Sequence, residues 1–186
     1  MKIAVLAVQG AFIEHEKALQ RLGAETVELR KAEDLEQDFD GLVLPGGEST
    51  VQSRLLKELS MFEPLKEKIE EGLPVLATCA GLILLAQNVS NDEKRGFATL
   101  PVTVKRNAYG RQLGSFSVDE QIEGIGTFPM RFIRAPYIEK ALDDTKVLAK
   151  VDGNIVMVEN KNQLAMSFHP ELTSDTRIHE MFLRKI

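Results

Sequence analysis

Short apolar runs alternate with amphipathic segments along the first half of the chain. Residues 3–8 and 41–44 are continuous apolar runs, which is typical of strands buried on both faces, and residues 26–29 and 75–78 are also predicted as strands. Residues 13–22, 51–59, 62–71 and 80–88 have helical spacing, and glycines at 23 and 72 end two of these segments. Repeated strand–helix units with short connections predict a three-layer α/β fold, with a mostly parallel central sheet flanked by helices.

The second half of the chain is richer in predicted strands, which cover residues 102–105, 113–118, 126–133, 146–151, 155–159 and 163–168. The sequence Asp152-Gly153-Asn154 predicts a hairpin turn between two of them. Residues 174–185 have the pattern of a closing helix with Ser174 as its N-cap. Because no internal repeat, low-complexity stretch or flexible linker divides the sequence, we expect a single domain over residues 1–186.

The composition argues against several classes of function. The net charge is −5 and there is no basic tract, which disfavours nucleic-acid binding. The longest internal apolar stretch, residues 81–86, is far shorter than the ~20 residues that cross a bilayer, and the first apolar run lacks the pattern of a signal peptide. The single cysteine permits neither an intramolecular disulfide nor a thiolate metal cluster. We therefore expect a cytoplasmic protein that binds no membrane, metal or cofactor.

The single cysteine lies where a predicted strand meets a predicted helix. Cys79 follows the strand of residues 75–78 and precedes the helix that begins at residue 80, which is the arrangement of a nucleophile elbow. Such a tight turn needs small residues two positions to either side, here Ala77 and Gly81. The helix N-terminus favours a thiolate, and α/β proteins place their sites at this edge of the sheet. A buried structural cysteine is the alternative that the pattern leaves open.

A cysteine nucleophile needs a base, and the base needs a group that orients it. His169 follows the strand of residues 163–168 and so lies at the same edge of the predicted sheet as Cys79. Pro170 restricts His169 to an extended conformation, and Glu171 is placed to accept a hydrogen bond from one ring nitrogen. The sequence therefore predicts a catalytic triad of Cys79, His169 and Glu171, with an incidental His-Pro-Glu loop as the alternative.

The other two histidines lie inside predicted helices. His15 is flanked by Glu14 and Glu16, and His179 lies in the closing helix. We interpret both as solvated helix residues rather than catalytic ones.

A loop with two adjacent glycines follows the strand of residues 41–44 and precedes a helix. Residues 44–50 read Leu-Pro-Gly-Gly-Glu-Ser-Thr, which lacks the glycine spacings of phosphate-binding loops. An acyl-transfer enzyme needs hydrogen-bond donors for the oxyanion that develops, and the backbone N–H groups of Gly47 and Ala80 are the candidates. A plain turn with an N-cap is the alternative for this loop.

Six segments of the chain resemble class I, triad-type glutamine amidotransferases, a family with a flavodoxin-like α/β fold. Residues 44–50, 78–82 and 168–172 mark the broad class. Residues 6–10, 106–112 and 132–136 complete the resemblance, which within the class is to the glutaminase subunits of pyridoxal 5'-phosphate synthases. Two positions stand out: Ala77 replaces a glycine that is usual in the subfamily, and Ile83 occupies a place where many other triad glutaminases carry glutamine.

The resemblance implies the reaction and the partner. L-Glutamine is hydrolysed to glutamate and ammonia through a Cys79 thioester, with His169 as base and Glu171 as orienter. Ammonia then passes to a barrel-shaped synthase subunit in a hetero-oligomeric complex, which makes pyridoxal 5'-phosphate from ribose 5-phosphate and glyceraldehyde 3-phosphate. By matching positions, the resemblance implies that glutamine is held by Gly46, Gly47, Glu48, Arg106, Ile133 and Arg134.

Two alternatives of other classes remain at this point. The first is a stand-alone cysteine hydrolase or peptidase on the same scaffold, which would turn over without a partner. The second is a non-catalytic regulatory module with a vestigial triad. We also hypothesise that the Gly46–Gly47 peptide adopts two orientations, because glycines permit both at little steric cost, and that partner docking selects the one that completes the oxyanion hole.

Overall fold

The structure, a computed structural model, describes residues 1–93, 96–108 and 114–186. Its α-helices are α1 (Phe12–Arg21), α2 (Ser49–Glu58), α3 (Phe62–Glu70), α4 (Ala80–Leu85) and α5 (Arg177–Leu183). Its strands are β1 (Lys2–Leu6), β2 (Glu25–Leu29), β3 (Gly41–Leu44), β4 (Val75–Thr78), β5 (Ala86–Val89), β6 (Leu100–Lys105), β7 (Ser115–Ile122), β8 (Gly126–Ile133), β9 (Tyr137–Ala141), β10 (Lys146–Val151), β11 (Asn154–Asn160) and β12 (Gln163–Met166). Short 3-10 helices cover Ala32–Glu36 and Pro170–Leu172.

The central sheet has the strand order β2-β1-β3-β4-β12-β11-β9-β6-β5, and β10 pairs with β11. From β2 to β12 every neighbouring pair is parallel, whereas β12–β11, β11–β9 and β9–β6 are antiparallel. Strands β7 and β8 form a separate antiparallel hairpin. The predicted fold class is confirmed, and the parallel half of the sheet carries the candidate site.

Apolar side chains cover both faces of the sheet. In β1, Ala4 and Leu6 face one core with α2, α3 and α4, whereas Ile3 and Val5 face a second core with α1, α5 and the β7–β8 hairpin. The continuous apolar runs of the central strands follow from this two-sided burial, because side chains on both faces of each strand are removed from water. No helix in the described residues is long and apolar enough to span a membrane.

The helix predicted over residues 80–88 is shorter in the structure, since α4 ends at Leu85 and the chain continues as β5. The N–H of Phe97 donates to the carbonyl oxygen of Leu84 at 2.6 Å, and Gly96 packs directly against the Leu84 backbone. A continuing helix would need that carbonyl for its own hydrogen bond. The returning chain therefore ends α4, and residues 86–89 pair with β6 instead.

Other differences lie in the second half. Strand β9 was not predicted, because its sequence Tyr-Ile-Glu-Lys-Ala has little apolar character, and it forms by pairing with β6. The closing helix begins at Arg177 with Thr176 as N-cap, so the Ser174 cap was wrong. Strand β7 runs further than predicted, to Ile122, while the predicted start at Leu113 lies outside the described residues. The hairpin turn is present, with positive φ at Asp152 and Gly153.

Candidate active site

Cys79 occupies the turn between β4 and α4 in a strained backbone conformation. Its φ is 47° and its ψ is −99°, values that a non-glycine residue rarely adopts. Its N–H donates to the carbonyl oxygen of Met166 on the neighbouring strand at 2.8 Å, which fixes the turn to the sheet. A Cβ added to Gly81 would lie 2.1 Å from the carbonyl oxygen of Leu44, so only glycine lets α4 approach β3 here. The elbow thus holds the Cys79 side chain at the end of the strand, where 7% of the residue is exposed.

His169 reaches Cys79 because β4 and β12 are adjacent parallel strands, with Thr78 opposite Met166 in register. The chain therefore leaves both strands at the same edge of the sheet. His169 has a φ of −110° and a ψ of 86°, outside the helical region as expected before a proline, and its ring interacts with the Cys79 side chain. On its other side, Nδ1 of His169 lies 2.6 Å from Oε1 of Glu171. The structure thus brings the three predicted triad residues together in the order nucleophile, base and carboxylate.

The electrostatics of the triad favour the protonated form of His169. Burial by itself lowers the pKa of His169, but hydrogen bonds to Cys79 and Glu171 and their negative charges outweigh it and raise the pKa to about 10. Burial opposes ionisation of Glu171, yet the facing His15 and His169 rings hold the pKa of this carboxyl below its usual value. At neutral pH His169 is therefore an imidazolium that lies between the Glu171 carboxylate and the Cys79 side chain.

Gly46 lies directly against the ring of His169. A Cβ added to Gly46 would lie 2.2 Å from Cε1 of His169, which no real side chain tolerates. The loop is also tied down, because the N–H of Gly46 donates to Thr78 Oγ1 at 3.0 Å and its carbonyl accepts from the N–H of Ala11 at 3.0 Å. The first glycine of the loop is therefore needed for contact with the base, a reason that the sequence did not reveal.

The two candidate oxyanion donors are the backbone N–H groups of Ala80 and Gly47. Ala80 is the first residue of α4, where backbone N–H groups have no partner within the helix. In the Gly46–Gly47 peptide, the carbonyl points to Ala11 at the start of α1, so the N–H of Gly47 points away from α1. Nearby, Oε1 of Gln9 accepts from the N–H of Glu48 at 2.8 Å and steadies this conformation of the loop.

Two of the residues predicted to hold glutamine, Arg106 and Glu48, already form hydrogen bonds within the chain. The Arg106 guanidinium donates to Glu48 Oε1 at 3.0 Å, to Thr50 Oγ1 at 3.2 Å and to Asp92. Glu48 is itself the N-cap of α2, with its carboxylate accepting from the N–H groups of Thr50 and Val51. Both side chains are thus engaged with each other in this structure. The cavity beside them, of about 430 Å³, is lined by Arg106, Thr50 and Ile83 but by no triad residue.

Ile133 is the last residue of β8, and Arg134 follows it directly. Cys79 Sγ lies 4.0 Å from the carbonyl oxygen of Ile133, whose side chain is largely exposed. Arg134 has a φ of 44° and its N–H donates to the carbonyl of Gly114. Of the segment of residues 106–112 that marked the resemblance, residues 109–112 lie outside the described part of the chain.

The interpretation of His15 and His179 as solvated residues was wrong, because both are fully buried. Nε2 of His15 lies 3.4 Å from Oε2 of Glu171 and 3.2 Å from Oγ1 of Thr78, and its Nδ1 lies 3.0 Å from Nε2 of His179. Thr78 was likewise not singled out, although its hydroxyl joins the glycine loop to His15.

Helical periodicity was the feature that could have revealed the position of His15. It lies three residues after Phe12, which packs against the core, and three and four residues before the buried Ala18 and Leu19. Its neighbours Glu14 and Glu16 lie on other faces of the helix, and their charge was misleading for that reason.

The sequence and the fold both match known glutamine amidotransferases. The model of the SNO glutamine amidotransferase family matches residues 5–186. A protein of Desulfitobacterium hafniense (strain DSM 10664 / DCB-2) named pyridoxal 5'-phosphate synthase subunit PdxT is 66% identical, with 100% of this chain and 94% of the relative covered. A protein of Streptococcus pneumoniae (strain CGSP14) with the same name is 50% identical, with 98% and 96% covered.

Solved structures of glutamine amidotransferases are also similar to this chain. A crystal structure of a glutamine amidotransferase superposes with a TM-score of 0.93 at 43% identity, over 98% of this chain and 97% of that one. A glutamine amidotransferase of Thermotoga maritima, at 15% identity and a TM-score of 0.64 over 100% of this chain and 83% of that one, shares the fold. With a family model that spans nearly the whole sequence and full-length relatives at this identity, the chain belongs to the SNO glutamine amidotransferase family.

Proposed function

We propose that this chain is the glutaminase subunit of a pyridoxal 5'-phosphate synthase. The observation that carries the proposal is the assembly of Cys79, His169 and Glu171 at the carboxyl edge of β4 and β12, with Nδ1 of His169 2.6 Å from the Glu171 carboxylate. Family membership narrows the substrate to glutamine, and the names of the full-length relatives supply the partner. The chain acts in the cytoplasm, where the sugar phosphates that the synthase consumes are found.

The reaction is acyl transfer in two steps. The Cys79 thiolate attacks the side-chain amide carbon of glutamine, and the His169 imidazolium gives its proton to the leaving nitrogen, so that ammonia departs and a glutamyl thioester remains. The neutral imidazole then takes a proton from water, which attacks the thioester and releases glutamate. Glu171 keeps the ring oriented and stabilises the imidazolium in both steps.

The oxyanion and the substrate carboxylate need their own donors. The N–H groups of Gly47 and Ala80 stabilise the negative oxygen of the tetrahedral intermediate. Arg106 receives the α-carboxylate of glutamine, with further contacts from Gly46, Glu48, Ile133 and Arg134. For Arg106 this requires that the guanidinium exchange at least one of its present partners, Glu48 or Asp92, for the substrate.

Ammonia leaves for a barrel-shaped synthase subunit docked at the site in a hetero-oligomeric complex. In open water at neutral pH most ammonia becomes ammonium, which is not a nucleophile, so a protected path between the two subunits makes the transfer more efficient. Docking near the glycine loop and α1 would act on the Gly46–Gly47 peptide through Ala11, which holds the Gly46 carbonyl.

The experiment is to measure ammonia release from glutamine by the purified chain, with and without a saturating amount of the synthase subunit. We expect weak release by the chain alone and a large rise in kcat when the synthase is added, because one missing oxyanion donor typically lowers kcat roughly 10²–10³-fold. Equal kcat values would indicate a stand-alone hydrolase, and no release in either case would indicate a non-catalytic module.

A further inference from the structure

The carboxylate of Glu171 has two oxygens, and the proposed mechanism accounts for only one of them. Oε1 accepts a hydrogen bond from His169, whereas Oε2 is fully buried and faces away from the base. A buried carboxylate oxygen without a donor is costly, because burial removes the water that would otherwise solvate it. In the described residues the nitrogen placed to serve Oε2 is Nε2 of His15, at 3.4 Å.

Elements from distant parts of the chain converge behind the triad to place His15 there. His15 lies on α1, His179 on α5, and Thr78 at the end of β4, immediately before the nucleophile. All three side chains are fully buried. Their contacts form a polar cluster beside the second apolar core, where each polar atom left without a partner is costly.

The positions of the protons follow from the contacts. If Nε2 of His15 carried no proton, its lone pair would face the Glu171 carboxylate, and so Nε2–H is the favoured tautomer. Nδ1 of His15 then accepts a hydrogen bond from Nε2–H of His179 at 3.0 Å. This leaves Nδ1 of His179 as a bare acceptor, and within the described residues it is the ring nitrogen of the pair that has no hydrogen-bond partner.

We propose that His15, supported by His179, is a positioning residue that holds Glu171 in place behind the catalytic imidazole. This inference rests on the proposed function, since it assigns a role within the same triad. The Nε2–H of His15 faces Oε2 of Glu171 at 3.4 Å, while His169 is hydrogen-bonded to Oε1. The carboxylate is thereby fixed from two sides, and its orientation in turn fixes the ring that faces Cys79.

A neutral ring suits this role better than a charged one. Burial lowers the pKa of His15, and burial together with the neighbouring His15 lowers the pKa of His179 to about 3. A neutral donor orients Glu171 without neutralising it, so the negative charge remains available to the His169 imidazolium. The charged and titratable groups around the pair are Glu171 and His169 from the loop after β12, and Glu14 and Arg21 from α1.

The His15 ring also contacts Thr78, whose hydroxyl is hydrogen-bonded to the glycine loop. Nε2 of His15 lies 3.2 Å from Thr78 Oγ1, and that hydroxyl accepts from the N–H of Gly46 at 3.0 Å. The single proton on Nε2 is hydrogen-bonded to the Thr78 hydroxyl and also faces the Glu171 carboxylate, and through Thr78 His15 supports the loop that contains Gly46. Its loss is expected to affect kcat rather than the binding of glutamine.

The kinetic test compares two substitutions at one position, each in the complex with the synthase subunit. His15→Leu removes the donor, whereas His15→Gln keeps an N–H near the place of Nε2. We expect His15→Leu to lower kcat about 10- to 100-fold with little change in KM, because a hydrogen bond to a buried charge is lost. The acidic limb of the kcat–pH profile should also move to higher pH, because an unpaired buried carboxyl has a raised pKa. His15→Gln should recover most of kcat.

The control is Leu19→Ala, which removes a buried side chain from the same face of α1. It should lower Tm and leave kcat and the acidic limb unchanged. The proposal is overturned if a folded His15→Leu variant keeps both the kcat and the acidic limb of the wild type. It is equally overturned if His15→Leu and His15→Gln lose the same activity while the acidic limb stays in place.

A second measurement needs no substitution. Nitrogen-15 chemical shifts of the histidine rings in the full wild-type chain report which ring nitrogen carries the proton. We expect His15 and His179 to be neutral at neutral pH, each protonated at Nε2, whereas an imidazolium or an Nδ1–H tautomer at His15 would overturn the proposal. Absence of ammonia release by the wild-type complex would contradict the proposed function instead, and the tautomers would still test the placement of the protons.

Discussion

The proposed triad and the proposed glutamine-binding residues of this chain are built in different ways. Cys79, His169 and Glu171 are nearly fully buried and follow two adjacent parallel strands, so the sheet itself sets their separation. Arg106 belongs to the loop after β6, and its guanidinium is engaged by carboxylates of this chain. The proposed catalytic groups are therefore assembled in the folded chain, whereas the proposed role of Arg106 in binding glutamine would require it to exchange an ion pair.

Under the proposed function, this difference would let a partner control the reaction without building the triad. Buried groups on rigid strands hold a fixed geometry, and groups on loops respond to ligands and neighbours at small energetic cost. Substitutions in the triad should consequently abolish chemistry in any state, and substitution of Arg106 in the loop after β6 should change KM. Effects on kcat should therefore be largest at the triad, and effects on KM should be found at Arg106.

The largest effect is expected at the nucleophile. Cys79→Ala should lower glutamine hydrolysis by roughly 10⁶-fold, to an undetectable level, because no other group can form the thioester. Synthesis of pyridoxal 5'-phosphate by the complex should persist when ammonium salt replaces glutamine, since only the ammonia source is lost. Retention of most of the glutaminase activity by Cys79→Ala would mean that another residue is the nucleophile.

The next effect is expected at the carboxylate. Glu171→Gln should lower kcat by roughly 10⁴-fold, one to two orders of magnitude less than His169→Ala, because the base and nucleophile remain while orientation and imidazolium stabilisation are lost. The measurement is kcat for each variant in the complex. A Glu171→Gln variant with the kcat of the wild type would remove Glu171 from the triad.

A smaller effect is expected where the loop contacts the base. Gly46→Ala adds a methyl group 2.2 Å from Cε1 of His169, so the ring must move, and a displacement on the order of 1 Å lowers kcat by about 10²-fold. The matched control is Gly41→Ala, whose methyl meets side chains of Phe182 and Ile186 at 2.8 and 2.9 Å in the core. That variant should lose about 1–3 kcal/mol of unfolding free energy while keeping its kcat. Equal kcat for Gly46→Ala and the wild type would show that the loop is not held against His169.

The smallest effect is expected at the substrate carboxylate. Arg106→Ala should raise the KM for glutamine about 10- to 100-fold and change kcat little, because a charge-assisted contact that is similar in substrate and transition state is lost. Arg30→Ala is the control, since it removes a surface arginine that also pairs with a glutamate, here Glu28, and it should leave KM unchanged. An unchanged KM for Arg106→Ala would refute its role in binding.

The sequence predicted the fold class and the elbow region well because both depend on local pattern. Continuous apolar runs marked the strands that are buried on both faces, and the small residues around Cys79 marked a tight turn whose Gly81 contacts Leu44. Strand β9 and the early end of α4 could not be predicted in the same way. Each depends on pairing or capping by residues distant in the sequence, such as Phe97 at the end of α4.

The cluster behind the triad was missed for a related reason. His15 lies 156 positions before Glu171 in the sequence, and only the packing of α1 against the loop after β12 brings them together. The acidic neighbours of His15 suggested a solvated position, although its helical face is apolar. The contact of Gly46 with His169 was missed as well, because it depends on the approach of two loops across the edge of the sheet.

The central claim is that Cys79 is a glutamine-directed nucleophile activated by His169, and covalent labelling tests it most directly. The wild-type chain in complex with the synthase subunit is treated with a diazoketone analogue of glutamine, and the modified peptide is identified by mass spectrometry while ammonia release is followed. We predict modification at Cys79 that parallels the loss of activity, that glutamine slows, and that His169→Asn strongly reduces. Loss of activity with Cys79 unmodified, or labelling of Cys79 that glutamine does not slow, would contradict the account.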